Sequence, residues 1–159
     1  MTLRRAVSVE PAGSWSAPEP VRAATLAFDE RHRRRILLKD DAGEPFLLDL
    51  AKAVVLGDGD GLRLENGGWL RVRAAAEDCA EIRCPTPREL ARIAWHLGNR
   101  HLPVSVGEGV LLFRWDSVIV EMVQGLGAEV RRVSAPFTPE GGAYGGHQDH
   151  GHDHGPGHG

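Results

Sequence analysis

Five of the chain's eight histidines, His147, His150, His152, His154 and His158, fall within its last thirteen residues, separated by Gly, Gln, Asp and Pro. Neutral imidazole is the commonest protein ligand for borderline divalent ions such as Ni²⁺, Zn²⁺, Co²⁺ and Cu²⁺, and a reference pKa of about 6.5 leaves its lone pair free at neutral pH. The pattern reads as a metal-collecting tail. Asp149 and Asp153 interrupt the histidines and add oxygen donors, unlike the unbroken run of a purification tag. Gly145, Gly146, Gly151, Gly155, Pro156, Gly157 and Gly159 work against a rigid cage. A catalytic metal needs ligands braced by outer hydrogen bonds and one open position, so this composition suits capture and release. The nineteen residues from Gly141 to Gly159 are expected to be disordered, with a coil reach of about 25 Å.

Other groups with chemical potential are sparse. Cys79 and Cys84 are the only cysteines; an odd separation along a strand points them to opposite faces, so free thiols are expected. Asp58-Gly59-Asp60-Gly61 starts like a calcium loop, but Leu62 and Leu64 stand where oxygen donors are needed and Trp69 takes the twelfth place, which leaves a plain turn. His32, His96 and His101 are read as structural. Nothing outside the tail groups a nucleophile with an acid and a base, so no catalytic residue is assigned and no enzyme is expected. Arg31-His32-Arg33-Arg34-Arg35 is the one basic cluster. As a solvated sheet edge, Arg31, Arg33, Arg34 and Arg35 would deter aggregation and offer a docking patch.

The elements that must carry these groups fall into two patterns. From Val21 to Arg73, short apolar or alternating runs are cut by turn residues, the signature of an all-β unit. Expected strands are Val21–Phe28, Arg34–Lys39, Pro45–Leu50, Lys52–Leu56, Gly61–Glu65 and Trp69–Val72, with Asn66-Gly67 as a type I′ hairpin turn needing positive φ at both residues. Beyond Ala74-Ala75-Ala76, strand and helix signals alternate. Ala80–Cys84 reads as a strand, and Thr86-Pro87-Arg88-Glu89 as a capped helix start continuing through Leu90, Ile93, Ala94 and Leu97 to a Gly98 stop. Leu102–Val106 and Val110–Trp115 form a hairpin. Asp116 caps a second helix with Val118, Ile119, Met122, Val123 and Leu126 facing the core, and Gly127 closes it before a last strand, Glu129–Val133. The fold class is therefore α+β: an N-terminal all-β domain (1–74), a ferredoxin-like βαββαβ domain (75–140) and a disordered His-rich tail (141–159).

With those elements in place the chain resembles the urease accessory nickel metallochaperones, the UreE family. The resemblance rests on Leu90-Ala91-Arg92-Ile93-Ala94-Trp95-His96-Leu97-Gly98-Asn99-Arg100-His101-Leu102-Pro103, on the Asp116 to Gly127 helix with Glu121-Met122 and Gly125-Leu126-Gly127, on Pro136-Phe137-Thr138-Pro139-Glu140 to Tyr144, and on the His-rich end. It implies a cytosolic homodimer that collects Ni²⁺, with Zn²⁺ or Cu²⁺ as substitutes, and passes it through an accessory GTPase to the urease apoprotein. It also implies that the N-terminal domain docks peptide or protein. In the family a histidine directly after an aspartate, at the start of the second helix of the C-terminal domain, normally bridges one ion across the dimer axis. This chain has Asp116-Ser117 there, and a neutral serine hydroxyl does not replace an imidazole. At 100° per residue Ser117, Val120 and Gln124 share the face opposite the core stripe, so an exposed Val120 is expected against a partner subunit.

Bulk properties agree with a small cytosolic binding protein. Nineteen Lys and Arg against 22 Asp and Glu give a net charge of −3, which favours neither nucleic acid nor an anionic membrane. An RNA-binding reading also lacks paired aromatics on the expected strands. No apolar run approaches a membrane span or a signal core. Small cores favour oligomerisation, since a domain of about 70 residues buries only about 60 % of its unfolded surface. A storage protein that sequesters ions without delivering them is the rival reading.

Overall fold

The computed structural model describes residues 3–141, so His147, His150, His152, His154 and His158 lie outside the described residues. Two sheets account for the body. The first contains β1 (Arg4–Glu10), β2 (Ala23–Leu26), β3 (Arg35–Lys39), β4 (Pro45–Asp49), β5 (Gly61–Leu64) and β6 (Trp69–Ala74), with the short helix α1 (Phe28–Arg31) between β2 and β3. Its strand order is β2-β6-β5-β1-β4-β3. β1 runs parallel to β4 and β2 parallel to β6, while the other neighbours are antiparallel. Alternation puts Phe46, Leu48, Leu62, Leu70 and Val72 into one core with Ala6, Ala24 and Leu26. Each large apolar side chain buried this way contributes about 1.5–3 kcal/mol.

Several expectations for this half are corrected. β1 was not foreseen: Ala6 is its only buried residue, and the strand is held by hydrogen bonding along both edges rather than by its own apolar content. The expected strand Val21–Phe28 shortens to β2, with Phe28 starting α1. Lys52–Leu56 forms no strand; Leu56 N–H donates instead to Arg31 O at 2.8 Å. At Asn66-Gly67 only Gly67 takes positive φ, at 94°, so the hairpin closes through a three-residue loop with one left-handed residue.

The Asp58-Gly59-Asp60-Gly61 segment is a turn, as expected, and its carboxylates are occupied by backbone. Asp60 accepts from Ala12 N–H at 3.0 Å and Gly57 N–H at 2.7 Å, and Asp58 accepts from Ala74 N–H at 2.9 Å. Trp15 lies across the turn, stacked on Trp69 at 5.1 Å and donating Nε1–H to Gly59 O at 3.0 Å. A Cβ on Gly61 would meet the Trp15 ring at 2.5 Å. Gly61→Ala is therefore expected to unseat the indole at a cost of about 1–3 kcal/mol, read as a lower urea midpoint with a change in tryptophan fluorescence.

Asp40 is the one buried carboxylate among the described residues, at 5 % exposure. Burial works to raise its pKa, but bonds from Glu44 N–H (2.9 Å), Arg4 Nη2 (2.9 Å) and Ala42 N–H (3.0 Å) outweigh burial and hold it below the usual carboxylate value. A carboxylate depressed on folding stabilises fully above its unfolded pKa of about 3.9 and loses that contribution as pH falls through the folded value. Unfolding free energy is thus expected to drop below about pH 4. Urea titrations at pH 3 to 6 should show a shallower drop for Asp40→Asn than for the parent.

The second sheet contains β7 (Ala76–Arg83), β8 (Ser105–Gly107), β9 (Val110–Arg114) and β10 (Glu129–Pro136), with α2 (Pro87–Asn99) after β7 and α3 (Ser117–Gly125) after β9. All neighbours in the order β10-β7-β9-β8 are antiparallel. Ile93 and Leu97 of α2 and Ile119, Val120 and Val123 of α3 pack with Ala80, Ile82, Leu111 and Phe113, so both helices cover the same sheet face. The result is a mixed α+β body with a β-rich N-terminal sheet and a helix-covered C-terminal sheet. No helix among the described residues is long and apolar enough to cross a membrane.

The opposite face of the second sheet meets the first. Cys79 of β7 packs with Phe28 of α1 and with Phe137, all buried. Arg31, completely buried, spans the joint: Nε donates to Leu26 O at 3.0 Å, Nη1 to Leu56 O at 3.0 Å and Thr138 Oγ1 at 3.2 Å, and Nη2 to Phe137 O. Glu77 stands 3.9 Å from the guanidinium and accepts from Phe28 N–H at 3.1 Å. The basic cluster therefore divides. Arg33, Arg34 and Arg35 stay exposed, while Arg31 is withdrawn to bind carbonyls from both halves.

Candidate metal centre

α3 begins where the sequence places it. Asp116 Oδ1 accepts from Val118 N–H at 3.0 Å and Ile119 N–H at 3.2 Å, so this carboxylate caps the helix. Its far end closes at Gly127, φ 95°, where Gly127 N–H donates to Gln124 O and Ala128 N–H to Val123 O. Ser117 is exposed, in keeping with its place on the outer face. The rotation of α3 differs from expectation, however. Val120 is buried at 6 % exposure and Val118 exposed at 68 %, so the buried arc is displaced by roughly 50°. Ile119, Val120 and Val123 face the sheet; Ser117, Val118, Glu121 and Gln124 face out. The exposed apolar residue of this face is Val118.

α2 carries the segment with two of the histidines. Thr86 Oγ1 accepts from Glu89 N–H at 3.2 Å at its start, with Pro87 in the first turn. Ile93 and Leu97 are buried, and Leu90 and Ala94 pack beside them. Gly98 does not end the helix; it lies in the last turn, and the chain reverses after Arg100 at His101, φ 54°. His96 is half-buried, with its ring edge-on to the exposed Trp95 at 5.0 Å. His101 is exposed, as is His32, whose ring lies 5.8 Å from that of Phe28. Among the described residues no group of three or more His, Cys, Asp and Glu is arranged to hold an ion.

The cysteines behave as inert thiols. Cys79 is buried on the face of β7 turned to Phe28 and Phe137, whereas Cys84 packs against the helix-side core. Burial pushes both thiols above their usual pKa, so neither is a ready thiolate. The structural role missed from sequence is that of Arg31, and the available signal was local: Phe28 and Arg31 lie three residues apart and so share one face of a helical turn.

Residues 6–75 match the family model described as UreE urease accessory protein, N-terminal domain, and residues 77–159 match the C-terminal domain model of the same family. A urease accessory protein UreE from Beijerinckia indica is 49 % identical over 153 residues, covering 96 % of this chain and 87 % of its own. One from Rhodopseudomonas palustris strain BisB18 is 51 % identical over 150 residues, covering 94 % and 71 %, and one from a Chelativorans species is 49 % identical over 136 residues, covering 84 % and 86 %. With both family models matched in order and relatives of about half identity spanning most of its length, the chain belongs to the UreE urease accessory protein family.

Proposed function

We propose that this protein is a nickel metallochaperone whose ion is gripped by His147, His150, His152, His154 and His158 and delivered for assembly of the urease active site. The observation that carries it is the conjunction of two full-domain family matches with five imidazoles in thirteen residues. An accessory protein of urease maturation is not itself an enzyme, and mass action is sufficient here. Tail imidazoles raise the local ion concentration toward the mM range of short tethers, and ligand replacement hands the ion on. Nickel cannot be selected by imidazole alone, because Cu²⁺ binds such sites more tightly; selection falls to the receiving partners, an accessory GTPase and the urease apoprotein.

The body's part in this reading is to pair and to dock. A cytoplasmic homodimer through the outer face of α3, with Val118 against the partner subunit, would present two tails together, although Ser117 removes the usual bridging imidazole. The ferredoxin-like reading of the C-terminal half is supported by its βαββαβ order and antiparallel sheet. On this reading the chain divides into a docking domain over 1–74, a chaperone and dimerisation domain over 75–140 and the tail over 141–159, with Arg33, Arg34 and Arg35 as the docking patch.

Calorimetric titration of Ni²⁺ into the full chain and into a version ending at Tyr144 tests the reading. Truncation should remove most binding and leave the dimer, as measured by light scattering. Equally tight binding by the truncated form would sink the assignment to the tail. Pull-down of urease components by the full chain separates delivery from storage.

A further inference from the structure

β3 lies at one end of the first sheet and is paired on one side only, to β4. The register shows which of its main-chain groups that leaves free. Leu50 N–H donates to Arg34 O at 2.9 Å and Asp40 N–H to Glu44 O at 2.9 Å, so the even-numbered residues along β3 bond to β4. In an antiparallel ladder the alternate residues turn their N–H and C=O away from that neighbour. Arg35, Leu37 and Lys39 therefore aim their main-chain groups off the sheet, and among the described residues none of these groups is bonded. The opposite edge, at β2, is covered: Asp41 N–H donates to Ala23 O at 2.8 Å, and the Asp41 carboxylate accepts from Thr25 N–H at 2.8 Å. A cleft of about 340 Å³ adjoins the bare edge, lined by Leu37, Leu38 and Lys39 of β3, Thr25 and Leu26 of β2, and Glu30 of α1. The Glu30 carboxylate is committed to Ala27 N–H at 3.1 Å.

The side chains select the occupant. Leu38 is buried and Ile36 packs on the core, so Arg35, Leu37 and Lys39 project to the other face, where all three are exposed, Leu37 at 61 %. An uncovered apolar side chain thus sits between two cations. Arg35 has only Asp49, at 3.8 Å and already bound by Arg5 at 2.8 Å, while Lys39 has no ion-pair partner among the described residues. A second copy pairing antiparallel about Leu37 would set Arg35 directly across from Lys39, and like charges in that position destabilise a sheet. Carboxylates in the same two places would pair both cations. Resting on the reading of the N-terminal sheet as the docking unit, we propose that the β3 edge adds a strand from a partner protein, an extended acidic segment. Its two carboxylates stand four positions apart, across from Arg35 and Lys39, with apolar residues between them to cover Leu37. Main-chain bonds to the three free residues supply affinity, and the charges supply specificity.

The test uses the full chain and, as probe, the end-capped peptide Ser-Glu-Val-Leu-Val-Glu-Ser, with a control in which lysine replaces both glutamates. In the unsubstituted protein the glutamate peptide should protect the amides of Arg35, Leu37 and Lys39 from hydrogen exchange and leave those of Ile36 and Leu38, already bonded to β4, as they were. The lysine peptide should do neither. Leu37→Pro removes an outward N–H without costing β4 a bond, and proline is tolerated on an edge strand. Arg35→Gln/Lys39→Gln removes the charges alone. With folding checked by circular dichroism, each variant is expected to bind the glutamate peptide at least about tenfold more weakly. No binding by the parent, or binding without the alternating protection, overturns the proposal. Loss of binding in the glutamine variant with Leu37→Pro unchanged overturns strand addition and leaves a basic docking patch. Pull-down of urease components unchanged in both variants overturns the docking reading itself.

Discussion

Replacing Arg31 by alanine is expected to lower the unfolding free energy by about 3–5 kcal/mol, the range seen when one member of a buried charged network is removed. The guanidinium is completely buried and donates to Leu26 O, Leu56 O, Phe137 O and Thr138 Oγ1. Alanine would leave the Leu56 and Phe137 carbonyls without the guanidinium donor in a space water does not readily fill, each costing about 1–3 kcal/mol, while Leu26 O keeps its bond from Ala75 N–H. It would also leave Glu77 without its cation. Lysine keeps the charge but not the planar fork that reaches several acceptors at once, so Arg31→Lys should recover only part of the loss. Urea denaturation followed by tryptophan fluorescence checks both, because Trp15 and Trp69 belong to the first sheet's side and Trp95 and Trp115 to the second's. An Arg31→Ala midpoint equal to the parent's would show that the joint is not held by this residue.

Ser117→His is expected to create an ion site at the start of α3, where the described residues of the parent hold no group of metal ligands. Position 117 is exposed in the first turn of α3, so an imidazole is accommodated without repacking. The positive end of the helix dipole opposes a cation there, and the adjacent Asp116 carboxylate offsets it. If α3 faces its counterpart across the dimer axis, two introduced histidines meet and bridge one ion. The expected result is one additional Ni²⁺ per two chains, with affinity at least tenfold above that of the parent in the background of tail histidines changed to asparagine. That is a gain of at least about 1.4 kcal/mol. A titration in which Ser117→His changes neither stoichiometry nor affinity would show that these helix starts do not meet.

The parts of the fold legible in sequence were those governed by neighbours along the chain. Thr86 and Asp116 are caps because a side-chain oxygen two or three residues ahead of a free N–H has little else to do. Gly127 stops α3 because the left-handed turn there suits a residue without Cβ. Features set by remote partners were not legible. β1 carries one buried residue and gains its place from β4 and β5. Arg31 reads as one more charge in a basic run until Phe137 and Thr138 arrive against it. The rotation of α3 escaped because Val118 and Val120 are chemically equivalent, and only the second sheet decides which is covered. Of the candidate site, Asp116 and Ser117 stand where the sequence put them, at the start of α3.

The acceptors at Phe137 and Thr138 follow Arg31 by 106 and 107 positions, which at a translation rate of about 5–20 residues per second is a delay of roughly 5–20 s. During synthesis the amino-terminal sheet thus waits with an ungripped cation while the rest is made. The clasp can shut only after nearly the whole body has emerged, so joining the two sheets is among the last events in the folding of the nascent polypeptide.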